Sequence, residues 1–283
     1  MKLGLSMWSA VHLVKDQSMD QVGFIRWAQE LQVDGVELLD FFHSGAAEES
    51  EQVQEALREA ELPCSVFSVS NNFAKPDAGD RHQARERILS GLDRAHQYGA
   101  SIIRVFGGDD HERKITLDEA RPWIVEGLAQ ASRAARERGL RLALENHGSM
   151  AGTSAQVRGI IEEVRQQTGD DTLGANLDTG NFVLVGEDSV HATEQLEGLI
   201  SMVHFKDFAP APPGWDGFAY HSLSGDPFVG TALGEGAVDL PGVVQKLRSQ
   251  GFTGWLNLEY EGAESARTAV PRSLAFGRSI LGS

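Results

Sequence analysis

The sequence predicts one (β/α)8 barrel domain over residues 1–283. Eight short β-rich runs alternate with longer amphipathic stretches, which is the pattern of βα units that build a parallel sheet. A chain of 283 residues, 41% hydrophobic, has the length of one such barrel, and a doubly wound sheet would rarely carry eight units this regular. Four of the late runs also end in a residue able to bind a metal, and such residues converge on one point only if their strands lie side by side.

The first run, Lys2–Met7, is followed by an amphipathic helix over Met19–Leu31. Asp34–Asp40 then precedes Ser50–Glu61, and Cys64–Ser70 precedes Asp80–Tyr98, which the glycine at Gly99 stops. Ser101–Gly107 leads into Leu117–Arg138, closed by Gly139, and Arg141–His147 leads into Thr153–Gln167. The sixth and seventh runs are Leu173–Asp178 and Ser201–Asp207. The irregular stretch Ala209–Asp239, holding four of the nine prolines, leaves the carboxyl end of a barrel strand and reads as an active-site loop. Trp255–Glu261 is the eighth run, and Ser265–Ile280 is the closing helix.

Composition narrows the partners. Against 25 Lys+Arg stand 41 Asp+Glu, a formal charge of −16 that repels nucleic acid and anionic membranes. The N-terminus MKLGLSMWSAVHL has no apolar core of signal-peptide length, and no segment approaches the ~18 apolar residues of a membrane span, so the expectation is a soluble cytoplasmic protein, with self-association left open. Cys64 is the only cysteine. It forms no intrachain disulfide, and within PCSVFSV it reads as a buried, inert side chain.

The metal-binding candidates are Glu145 in RLALENHG, Asp178 in LGANLDTGN, His204 in SMVHFKDF and Glu259 in WLNLEYEG. Strand side chains alternate, so each has same-face neighbours two residues away. These neighbours form a lower tier of Ala143, Asn176, Met202 and Asn257 and a mouth tier of His147, Gly180, Lys206 and Glu261. Inward Asn176 and Asn257 are expected to hold the carboxylates in place. Three carboxylates gathered without compensation would repel one another, which argues for a cation among them. Glu37 and Arg104 are expected to form a buried structural pair.

At these residues the chain resembles the xylose isomerase-like TIM barrels, the superfamily of sugar phosphate isomerases and epimerases, hydroxypyruvate isomerase, inosose dehydratase and endonuclease IV (AP endonuclease family 2-like). The motifs are DGVELLD, LALENHG, NLDTGN, VHFKD and GEGAVDLPGVVQKLRSQGFTGWLNLEYEG. The resemblance implies one divalent metal on Glu145, Asp178, His204 and Glu259. Such an oxygen-rich set suits Mn2+ first, then Mg2+ or Co2+, with Zn2+ also compatible. Two departures stand out. Where epimerases of the family often have a histidine, three residues after the sixth-strand aspartate, this chain has Asn181, and Lys206 stands nearest to where many carry a substrate-gripping arginine.

The activity implied is isomerisation or epimerisation of a keto-sugar, phosphorylated or not, through an enediolate, with Glu145 and Glu259 as acid and base. His147, Lys206, Asn181, Trp8 and Glu261 are the expected substrate contacts. Trp8, Phe42, Trp215, Phe218 and Tyr220 are candidates for an aromatic wall of the pocket, with core packing or loop anchoring an equal alternative for each. A dehydratase of the inosose or dehydroshikimate type is the alternative, with His147 as acid for the leaving hydroxyl. An endonuclease IV-like repair enzyme is disfavoured by the charge and by missing histidines in VFGGDD and at Asn181, and a non-catalytic sugar-binding subunit by the intact ligand set. His12, His43, His111 and His221 read as solvated histidines.

Overall fold

All eight predicted runs form parallel strands, and all but the sixth end earlier than the sequence pattern indicates. The computed structural model describes residues 1–110, 112 and 114–282; His111 lies outside the described residues. In chain order the strands are β1 (Lys2–Ser6), β2 (Gly35–Leu39), β3 (Cys64–Ser68), β4 (Ile102–Val105), β5 (Arg141–Glu145), β6 (Leu173–Asp178), β7 (Ile200–Phe205), β8 (Asp207–Pro210), β9 (Tyr220–His221), β10 (Pro227–Thr231) and β11 (Trp255–Leu258). β1 to β7 and β11 close a barrel in the order β1-β11-β7-β6-β5-β4-β3-β2. The early endings have a cause: past the last ladder bond the chain turns outward into loops, as where His147 pairs back onto Ala151.

The helices Gln21–Glu30, Ala47–Glu59, Ala78–Tyr98, Leu117–Glu137, Ser154–Thr168, Leu240–Ser249 and Ala266–Leu281 cover the outside. Local chemistry sets their ends. Thr116 with Glu119 and Thr153 with Gln156 form capping boxes, and Gly99 and Gly169 take the left-handed conformation that stops a helix at φ 74° and 72°.

Ala209–Asp239 is more ordered than its proline content indicates: β8, β10 and β9 form a small antiparallel sheet within it. Pro210 and Pro227 sit at strand ends, where no amide is needed for the ladder. Ala143 and Met202 join Val66 and Ile102 in an apolar cluster contributed by β3, β4, β5 and β7, which plugs the barrel beneath the polar tiers.

Cys64 is buried, and burial pushes its thiol up to about 12. His12 and His221 are exposed, but His43 is not solvated: its ring bonds Tyr98 Oη at 2.5 Å and Glu49 Oε2 at 2.8 Å, which ties the loop after β2 to the helix Ala78–Tyr98.

Candidate metal and substrate site

Strand register decides which side chains meet. Glu145 lies opposite Asn176, Asp178 opposite His204, and His204 opposite Asn257. Glu259 follows β11 directly, its N–H donating to the carbonyl of Phe205 at 3.1 Å. As a result Glu145, Asp178, His204 and Glu259, all buried, present ligand atoms that lie within 4.8 Å of one another.

The imidazole of His204 is oriented from behind. Its Nε2 lies 2.9 and 3.0 Å from the two oxygens of buried Glu37, which assigns the Nε2 proton to that contact. Nδ1 then faces the cluster, 3.3 Å from Glu145 Oε2, 3.6 Å from Glu259 Oε2 and 3.9 Å from Asp178 Oδ2. Glu37 also accepts from Asn257 Nδ2 at 3.0 Å and from Ser68 Oγ.

Glu37 therefore does not take Arg104 as its direct partner. β3 lies between β2 and β4, whereas β5 borders β4, so the guanidinium reaches Glu145 instead, with Nε 3.1 Å from Oε2 as an ion pair. Arg104 also donates Nη1 to the carbonyl of Val69 at 3.1 Å and lies 4.0 Å over the ring of Phe106.

Asn176 and Asn257 have different targets. Asn176 Nδ2 lies 3.1 Å from Glu145 Oε2 and 3.1 Å from His204 Nδ1, whereas Asn257 supports Glu37 rather than a carboxylate of the cluster. Gly4, opposite Asn257, has to be glycine, because a Cβ there would stand 2.1 Å from Asn257 Oδ1. Asn146 escaped the sequence reading, since alternation points it outward; its amide brackets the Asp178 backbone, accepting from N at 2.7 Å and donating to O at 3.0 Å.

Lys206 is more deeply engaged than a mouth residue. Thr179 clamps its backbone, and its buried Nζ lies 2.8 Å from Asp178 Oδ2, 2.6 Å from Glu259 Oε2 and 3.2 Å from Glu261 Oε2. The carboxylates are thus not uncompensated, as the sequence argument assumed, because Lys206 and Arg104 bring positive charge from within the chain. Asn181 Nδ2 bonds Glu145 Oε1 at 3.3 Å and Asn146 O at 3.0 Å, and Trp8 Nε1 donates to Glu261 Oε1 at 2.5 Å.

Burial is the largest influence on each of these ionisable groups. It raises Glu259 to about 7 despite the charges of His204 and Lys206. For Glu145 burial is outweighed by His204 and Arg104, which hold the carboxyl well below the usual range. Burial also raises Asp178 against the pull of Lys206. In His204 and Lys206 the surrounding carboxylates overcome burial and raise both cations.

The donor set fits a divalent ion. Three carboxylates and one imidazole nitrogen converge, their ligand atoms within 4.8 Å of one another, in a mostly oxygen set that suits a hard cation. Above the cluster opens a cavity of about 490 Å3, lined by Glu145, Glu259, Lys206, His147, Asn181 and Glu261 and walled by Trp8, Phe41, Phe106 and Tyr220. Phe41 takes the place expected of Phe42, which packs behind it with ring centroids 5.1 Å apart, and Trp215 and Phe218 stay outside. His147 packs on Phe106 at 4.7 Å.

Comparisons with known proteins bear on the family and the fold. The description "xylose isomerase-like TIM barrel" matches residues 25–280. The chain belongs to this family. Inosose dehydratase of Lacticaseibacillus casei is 26% identical over 183 residues, covering 60% of this chain and 60% of that protein. That of Geobacillus thermodenitrificans is 25% identical over 155 residues, covering 53% and 50%. The family member described here therefore spans about 60% or less of the length of these curated relatives. Among solved structures, a D-tagatose 3-epimerase-like protein superposes with a TM-score of 0.78 at 19% identity, covering 100% of this chain and 97% of that one. A probable 3-DHS dehydratase of Bacillus anthracis gives 0.75 at 19% identity, covering 100% and 99%, and the IOLI protein with a bound zinc atom gives 0.77 at 16%, covering 99% and 96%. At these identities the likeness is one of fold, shared by epimerases and dehydratases alike.

Proposed function

We propose that the protein is a metal-dependent isomerase or epimerase of a keto-sugar or related hydroxy-ketone, with Glu145 and Glu259 moving a carbon-bound proton. The observation that supports this reading is a pair of buried carboxylates, Glu145 and Glu259, that line one cavity and bring oxygens to the same cluster of ligand atoms within 4.8 Å of one another. Such a pair divides into a base and an acid.

The proposed ligands are Glu145, Asp178, His204 and Glu259. Mn2+ is the preferred ion, with Mg2+, Co2+ and Zn2+ fitting the same donors. When bound, the ion supplies a Lewis acid that stabilises negative charge on substrate oxygens. Glu145 takes the proton from the carbon beside the carbonyl, and Glu259 returns one, to the neighbouring carbon in an isomerase or to the opposite face of the same carbon in an epimerase. Asn181, Lys206 and His147 orient hydroxyls, Glu261 fixes Lys206 and Trp8, and the aromatic walls exclude water.

Uptake of deuterium from D2O into a panel of ketoses and inososes, followed by NMR with Mn2+, tests the reading. Wild type exchanges a substrate carbon-bound proton, and Glu145→Gln and Glu259→Gln each lose about a hundredfold or more. Full exchange by either variant, or none by wild type with any of the four metals, would refute it. A second reading, a dehydratase, is favoured by the inosose dehydratases among the relatives and by His147 on the cavity wall. It requires the product to lack one water, and His147→Ala to stop water loss while exchange continues.

A further inference from the structure

Around the closed ring of strands β2 and β6 stand four places apart, so the loops that leave them face one another across the mouth. Along this axis the described residues make the cavity apolar. Phe41, two residues past β2, lines it on one side. Leu184 and Val185, which follow β6, line it on the other, together with Leu223 from the turn between β9 and β10. β4 and β11 define the perpendicular axis, and there the lining is polar, with Asp109 and Asp110 on one side and Glu261 on the other.

Both apolar walls are held in place by their surroundings. The ring of Phe41 meets Trp8 edge-on at 5.5 Å between centroids and Phe42 at 5.1 Å. The N–H of Leu223 donates to the carbonyl of Leu184 at 2.8 Å, and its turn is closed by bonds from Ser222 N to Asp226 O and from Gly225 N to Ser222 O, both 2.9 Å. Phe41 and Leu223 are nevertheless each 50% exposed. Fixed apolar side chains that face each other above a polar site and stand half in water form a groove for an apolar group. A bare monosaccharide has little use for it. Its hydroxyls are met at the strand ends by Lys206, Asn181 and His147, and branched aliphatic side chains offer a sugar neither a flat face nor a hydrogen bond.

We propose that the substrate is a keto-glycoside whose apolar, O-linked aglycone lies in the slot between Phe41 and the wall of Leu184, Val185 and Leu223, an inference that rests on the enolising function proposed above. An O-linked aglycone makes the anomeric carbon an acetal. The sugar ring therefore stays closed, and the ketone has to lie on another ring carbon. A ketone at carbon 3 keeps a carbon-bound proton on either side of it, which is what Glu145 and Glu259 need. The aglycone takes no part in the bond changes, and it contributes by removing the apolar area of both walls from water.

The test compares phenyl with methyl 3-keto-β-D-glucopyranoside, which share the reacting ring and differ only in the group that reaches the slot, alongside the free ketoses. Solvent deuterium uptake with Mn2+ and saturation-transfer NMR are both recorded. The phenyl compound is expected to exceed the methyl one about tenfold or more in kcat/KM, equivalent to about 1.4 kcal/mol. In Leu223→Ser and in Phe41→Ser, one on each wall, that ratio narrows several-fold. Equal exchange of both glycosides, exchange of free ketoses alone, or a variant that keeps the full ratio overturns the inference and leaves the enolising function standing. If nothing exchanges, the enolising function fails and binding decides: saturation transfer to the phenyl ring that both substitutions reduce supports the slot, whereas no transfer, or transfer that either leaves unchanged, overturns it. A dimer that Leu223→Ser dissociates also overturns it, because that wall is then a subunit contact.

Discussion

Replacing Glu37 by glutamine changes neither volume nor shape, but it removes the negative charge behind His204. The wild-type carboxylate accepts from three donors, His204 Nε2 at 2.9 and 3.0 Å, Asn257 Nδ2 at 3.0 Å and Ser68 Oγ. A glutamine has only one acceptor oxygen and must turn its amino group towards one of those donors. A hydrogen bond to a charged group contributes about 1.5–3 kcal/mol and a neutral one about 1 kcal/mol, so His204 is held about 0.5–2 kcal/mol less firmly. If that hold is what presents Nδ1 to the metal, Mn2+ binds about 2–30-fold more weakly. Isothermal titration of chelator-stripped protein with Mn2+ and Zn2+ measures the change, and circular dichroism checks that the barrel is intact. A folded Glu37→Gln protein that binds both ions as tightly as wild type would refute the assignment of Glu37 as the group that positions His204.

Three other outcomes follow from the same geometry. Lys206→Met leaves Asp178, Glu259 and Glu261 without their shared cation and is expected to lower stability by about 3–5 kcal/mol in urea unfolding, with partial recovery on adding Mn2+; an unchanged midpoint would show that the ammonium is dispensable. Gly4→Ala drives a methyl into Asn257 and the carbonyl of Gly35, for an expected loss of about 1–3 kcal/mol in thermal unfolding, and wild-type stability would mean that the strands part without cost. Cys64, buried with a thiol pushed up to about 12, gains reactivity only as pH approaches that value or as the chain unfolds. It should resist thiol reagents at pH 8 in the native state and react once denatured, and labelling of the folded protein at the rate of a free thiol would contradict its burial.

The gathering of Glu145, Asp178, His204 and Glu259 could be anticipated because it depends on two things written locally: the order of βα units and the alternation of side chains along each strand. What each side chain touches was less accessible. Arg104 and Glu37 share an inward face, yet their strands are separated by β3, so Arg104 turns to Glu145 on the adjacent strand. The role of Lys206 was hidden for a related reason. Alternation places it inward but cannot say that three carboxylates from β6 and the end of β11 will meet its ammonium.

The sequence by itself determined the eight-fold alternation, the end of the barrel at which polar residues collect and the kinds of ligand found there, since these follow from periodicities of two and 3.6 residues and from residue chemistry. Only the tertiary structure decided that Glu37 steers His204, that Asn257 supports Glu37 rather than a carboxylate of the cluster, that Phe41 rather than Phe42 faces the cavity, and that Asp207 and Asp110 accept from backbone amides of their own loops. Those contacts join residues up to 220 positions apart. They depend on strand stagger and loop path, which are set by the packing of the whole chain and leave no mark on the local pattern.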